Sequence, residues 1–177
     1  LPILPALTTD QVGVLTSTQL SALRTTQVSS LTSDQIAALT TQQVAALTSA
    51  QVAVLTTTQL RGLETVDVPQ LRTAAVQALN SSQFAALNTD QLAALSSAQF
   101  GVVTSAQLAA LDTAQLASLE TVDLAALRTS SVAVLSSSQI AALTSDQVAA
   151  LTTAQVNALT TAQVAALTTD QAPAFST

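Results

Sequence analysis

The side chains able to do chemistry in this chain are ten carboxylates, four arginines and many Ser/Thr hydroxyls, with no His, Cys, Lys, Tyr, Trp or Met. Imidazole acid–base catalysis, thiolate nucleophiles, Schiff bases and thiolate or imidazole metal sites are therefore excluded. A hydroxyl without a base beside it is a poor nucleophile, so the abundance of Ser and Thr does not argue for hydrolysis. What stands out is the spacing of the charges. Asp34, Asp90 and Asp146 recur at a constant interval; Glu64-Thr65-Val66-Asp67 returns as Glu120-Thr121-Val122-Asp123 at the same interval, and so does Arg72 as Arg128.

None of these groups resembles a catalytic dyad. Glu64 with Asp67 offers two carboxylates, whereas Ca²⁺ takes six to eight oxygen ligands and a nearby Arg opposes it. No metal, cofactor or enzymatic activity is expected. Two readings of the shared interval stand side by side: duplication of a block, or a whole number of superhelical turns that puts the charges in rows on one face. On the second, Glu64, Asp67, Arg72, Glu120, Asp123, Arg128, Asp34, Asp90 and Asp146 are candidate register residues for contacts between molecules. Glu64 with Arg72, and Glu120 with Arg128, would then sit side by side as surface ion pairs, which contribute about 0–1 kcal/mol.

The elements that carry these residues are set by a shorter period. From Leu7 onward the 177-residue chain is a tandem octapeptide of the form Leu-Thr-Thr-x-Gln-Val-Ala-Ala, seen almost unaltered at Leu39–Ala46. The interval between the recurring charges is seven of these octads. Slot one is Leu in 20 of 22 copies, with Val103 and Phe175 the exceptions, and slot six is large and apolar in 20 of 21, failing at Ala172. These two are the core positions. Slot three is Ser or Thr in all 22 copies and slot five is Gln in 17 of 21, giving way at Asp67, Ala75, Asp123 and Ser131. Slots four and seven vary most and are expected to face solvent.

One continuous helix cannot use this period, because eight residues at about 100° each overshoot two turns by about 80° and the Leu stripe would circle the helix. Nor does the spacing match the 3.5-residue repeat of a left-handed coiled coil. A β-solenoid would use the Thr and Val, but the apolar slots have mixed parity, Ala is a poor strand former and the chain has three Gly for its corners. The reading preferred is one short helix per octad. A Ser/Thr ahead of the Gln-Val-Ala-Ala-Leu run can cap the first turn, and slot two with slot five spells a capping box, Thr-x-x-Gln. Whether slot two or slot three is the cap stays open, since slot three is stricter and slot two has the box spacing. One such helix buries too little to stand alone, so the fold class expected is an elongated all-α solenoid whose units support their neighbours.

The array is read as 7–170, with 1–6 and 171–177 as degenerate, Pro-bearing caps or junctions. Net charge is −6, the wrong sign for a nucleic-acid surface. Mean hydropathy is +0.49, yet the apolar runs are short and no stretch approaches the roughly 20 residues of a membrane span. The start has no basic n-region of a signal peptide. Arrays such as Leu143-Thr-Ser-Asp-Gln-Val-Ala-Ala-Leu-Thr-Thr-Ala-Gln-Val resemble repeats of very large bacterial exoproteins described as adhesins. That resemblance implies a structural role at the cell surface or outside the cell. Leu-Thr-x-x-Gln-Val is also similar to the start of TAL-effector repeats, without the Pro after Thr or that family's longer period, so DNA recognition is not carried over. The function expected is a non-enzymatic rod, stalk or self-assembling filament whose partner is itself. A solenoid scaffold for a peptide, glycan or host protein is the alternative; it would want aromatic anchors, and Phe84 and Phe100 occupy core slot six.

Overall fold

The computed structural model describes residues 6–175, with the Phe175 side chain set aside. The expected end segments fall partly outside this range, at 1–5 and 176–177. Among the described residues there are nineteen α-helices of four to six residues and no strand, running from Thr9–Gly13 to Thr161–Ala165. Every one begins on slot three. Helices this short lie far below the length at which an isolated helix holds together in water, so caps and packing must hold each one.

The cap is slot two. In the helix Thr41–Ala46, Thr40 is extended at φ −74°, ψ 156°; its Oγ1 accepts from the Gln43 N–H at 3.3 Å, while its own N–H donates to Gln43 Oε1 at 2.7 Å. Asn80, Asn88 and Asp112 do the same job with an Oδ1. Sequence left the cap undecided; the three-residue reach of Gln decides it. The helix closes near slot eight, and slot one is extended where the helix fills its octad, as at Leu47 (φ −57°, ψ 131°). Two extended residues, slots one and two, are the whole connection. No described residue has a positive φ, so the chain turns by alternating right-handed helical and extended backbone, and glycine is not needed at its corners.

Octads stack on those three to four octads away. The helix Ser33–Ala37 packs on Thr57–Gly62, Ser17–Ser21 on Thr41–Ala46, and Ser105–Ala109 on both Ser81–Ala85 and Thr129–Val132. Successive octads are therefore not stacked neighbours. Slot one is buried from Leu31 to Leu151 and slot six from Val12 to Val148, forming one continuous apolar column that includes Phe84 and Phe100 at zero exposure. Slot four is exposed in every described copy; slot seven is exposed or half-buried, as the variability of both slots predicts. Slot-eight Ala is more open than its size suggests, being half-buried at most positions and buried at Ala86.

Among the described residues, two octads depart from the pattern, each with Pro at slot seven; that of Pro173 forms a turn and the 3₁₀ helix Ala172–Phe175. Leu63-Glu-Thr-Val-Asp-Val-Pro-Gln forms a turn and a 3₁₀ helix at Val68–Gln70, whereas its counterpart Leu119-Glu-Thr-Val-Asp-Leu-Ala-Ala forms the α-helix Thr121–Ala126. Pro69 stands where Ala125 stands in the second copy. Its missing N–H removes a hydrogen bond of the α pattern, and the octad tightens to three-residue bonds from Asp67 to Glu64 (2.9 Å) and from Gln70 to Asp67 (3.0 Å).

Candidate functional site

The feature that unites the structure is a seam of glutamine side chains between turns. From Gln35 onward every slot-five Gln is buried. Its Oε1 is used by the capping box, which frees Nε2 to point at the preceding turn. Gln43 Nε2 donates to the Leu15 carbonyl at 2.6 Å and to the Val12 carbonyl at 2.9 Å; Gln91 does so to Leu63 (2.7 Å) and Leu60 (3.0 Å), and Gln171 to Leu143 (2.5 Å) and Ile140 (3.0 Å). The slot-one bond spans 28 residues each time. One amide thus caps its own helix and ties it to the end of the helix four octads earlier. A buried amide satisfied on both ends costs little; unsatisfied it would be expensive.

The bond joins different slots of the two octads, and the helices that pack on each other, such as Ser33–Ala37 on Thr57–Gly62, lie three octads apart. Asp34, Asp90 and Asp146 are all exposed, in the first turns of Ser33–Ala37, Thr89–Ala93 and Ser145–Ala149, where a negative charge suits the helix dipole. Glu64, Glu120, Arg72 and Arg128 are exposed as well.

The expected ion pairs do not form. Glu64 and Arg72 lie in successive octads, which the superhelix turns away from each other, and among the described residues neither Arg72 nor Arg128 pairs with a carboxylate. Arg72 Nε instead donates to the Ala45 carbonyl at 3.1 Å, and Arg128 Nε to Gly101 at 3.1 Å. These are the slot-seven carbonyls that a slot-five Gln at Ala75 or Ser131 would reach. At Ala75 and Ser131, where the seam loses its Gln, an Arg at slot two of the same octad supplies a donor, and Ser131 Oγ adds a bond to Val103 at 3.3 Å. The coincidence of Arg with missing Gln was visible in the sequence; its reason was not.

Asp67 and Asp123 replace Gln in the seam itself and are 3% and 2% exposed. Asp123 Oδ1 accepts from Ser97 Oγ at 2.8 Å; burial pushes its carboxyl above the usual range, the Ser97 bond opposes this and Glu120 adds to it. Asp67 Oδ1 is buried without a hydrogen-bond partner.

Slot-three serines add a further inter-turn contact. Ser17, Ser105, Ser137 and Ser145 donate to slot-four carbonyls 25 residues ahead, at 2.9–3.4 Å. A surface groove of about 450 Å³ lined by Ala109, Asp112, Thr113, Val134 and Ser138 holds one ionisable group, Asp112, which is already the cap of its helix. Among the described residues no three His, Cys, Asp or Glu side chains come together, and no helix is long and apolar enough to cross a membrane.

Short capped helices, one per octad, stacked through a buried amide seam, define an all-α solenoid of minimal repeats. Comparison with family models assigns the chain to a family of this repeated kind: the ALTTAQ repeat matches six times, over residues 19–49, 34–65, 60–97, 89–121, 116–153 and 149–177. The chain belongs to the ALTTAQ repeat family. No curated protein gives a significant match.

Proposed function

We propose that this chain is a non-enzymatic structural rod, a stalk or filament segment of a bacterial surface or extracellular protein, which extends by stacking end to end on copies of itself. The observation that carries this reading is the polarity of the seam. From Gln43 to Gln171 each seam amide donates backwards, to carbonyls of the preceding turn, so the array has a direction and every turn presents carbonyls on one side and amide donors on the other. Turns of two copies can meet in the same pattern as turns of one. Contacts of this heterologous, non-closing kind build filaments.

The rest of the molecule fits a load-bearing element better than a catalyst. Its two buried carboxylates, Asp67 and Asp123, lie in the packing seam. Electron microscopy of the purified chain over a concentration series tests the reading. Filaments whose axial repeat matches whole seven-octad blocks are expected. Isolated short rods at every concentration, together with monomeric sedimentation, overturn it.

A further inference from the structure

We propose that Asp67 and the backbone carbonyls of Ile36, Ala37 and Leu39 form a site for one hard, oxygen-coordinated cation within the wall of the solenoid. Elsewhere along the seam the equivalent three carbonyls of the preceding turn, those of slots six, seven and one, surround a donor. Around Gln51, for example, the Leu20, Ser21 and Leu23 carbonyls lie 2.9, 3.3 and 2.9 Å from Nε2. At Asp67 a carboxylate takes the slot that supplies the donor in the other octads, and among the described residues no glutamine amide reaches the Ile36, Ala37 and Leu39 carbonyls.

Three further observations separate Asp67 from the other gaps in the seam. Its Oδ1 is buried and unpartnered. Asp123, in the same slot seven octads later, has its Oδ1 satisfied by Ser97, while Thr41, which holds the corresponding position for Asp67, makes no such bond. At Ala75 and Ser131 an arginine fills the gap; no arginine reaches the carbonyls below Asp67. Aspartate is also one methylene shorter than glutamine, so its carboxylate cannot reach as far toward the preceding turn as the amide does in the other octads.

A buried carboxylate facing carbonyl dipoles is costly unless a positive charge joins it. Carboxylate and carbonyl oxygens are the ligand set of Ca²⁺, and carbonyl rings also replace the water shell of alkali cations. Mg²⁺, which demands strict octahedral geometry and keeps its waters, fits such a backbone crown less well. With one carboxylate the affinity falls in the weak class, about 0.1–1 mM for Ca²⁺. The inference does not rest on the rod reading.

The test follows the thermal midpoint of the full chain at fixed ionic strength against CaCl₂, MgCl₂, NaCl and KCl, with equilibrium dialysis of ⁴⁵Ca²⁺ for stoichiometry. Expected is a rise with Ca²⁺ or an alkali cation that exceeds the rise with Mg²⁺, one ion per chain where Ca²⁺ is the ligand, kept in Asp123→Gln and lost in Asp67→Gln, which restores the amide. If Asp67→Gln does not fold, Asp67→Asn serves the same comparison. A midpoint indifferent to every cation, or a response that survives substitution of Asp67, overturns the proposal.

Discussion

Replacing Gln91 by Ala is the sharpest test of the seam. Gln91 is 1% exposed; its Oε1 accepts from the Asn88 N–H at 3.1 Å, and its Nε2 donates to Leu63 and Leu60 at 2.7 and 3.0 Å. The Leu60 carbonyl keeps a bond from the Leu63 N–H at 3.2 Å, but the Leu63 carbonyl has no other donor. Three bonds at about 0.5–1.5 kcal/mol each give a loss of about 2–4 kcal/mol, the upper end applying because a buried carbonyl is stranded. For a chain of this size that lowers the melting midpoint by about 4–16 °C. Gln11→Ala removes a capping bond alone, from Thr8 N–H at 2.9 Å, in an exposed setting, and costs about 0.5–1 kcal/mol.

The difference between the two variants isolates the inter-turn bond. Gln91→Glu adds a second dimension. At neutral pH it sets a charged acceptor against the carbonyls and destabilises more than Ala. Its folded-state pKa must then lie above that of ordinary Glu, so its deficit shrinks as pH falls through that value and the acid gains an O–H donor. Calorimetry gives the midpoints, and hydrogen exchange at the Leu63 to Leu92 interface shows whether the loss is local. Equal costs for Gln91→Ala and Gln11→Ala, or a Glu variant as stable as the parent at neutral pH, would refute the reasoning.

Three further outcomes are expected. Gly62→Ala places a Cβ 2.9 Å from the Ser33 backbone oxygen and should destabilise by about 1–3 kcal/mol despite the better helix propensity of Ala, whereas Gly13→Ala, with 3.4 Å to the Ala38 oxygen, should be near neutral; urea denaturation compares them. Because burial raises the Asp123 carboxyl above its unfolded value, its ionised form opposes folding at neutral pH; stability should increase as pH falls through the raised pKa toward the unfolded value, and Asp123→Asn should flatten that slope in melts from pH 4 to 8. Phe84→Ala, from zero exposure, should cost about 3–5 kcal/mol by denaturant titration, while Val164→Ala, at 51% exposure, should change little in the isolated chain and weaken any end-to-end association.

Much of the fold is legible in the octad. Leu at slot one and a large apolar residue at slot six declare the core, the variable slots four and seven declare the surface, and Thr-x-x-Gln declares the helix start, because each depends on residues within one repeat. The strictness of Gln, approaching that of Leu or slot-three Ser/Thr, was the signal of a second duty, yet nothing in the sequence says where its amide points.

That direction is decided in three dimensions. A buried amide must meet carbonyls, and the carbonyls it meets belong to the preceding turn, at a separation along the chain fixed by how tightly the capped helices wind. The winding separates Glu64 from Arg72, and sends Arg72 and Arg128 to the backbone positions a missing Gln would have served. It also distinguishes Asp67 from Asp123, which a one-dimensional reading treats as copies. The sequence alone determined the unit, its cap spacing and its apolar faces, which are local; the stacking register determined which polar groups are satisfied, since a hydrogen bond between turns exists only once the turns are wound.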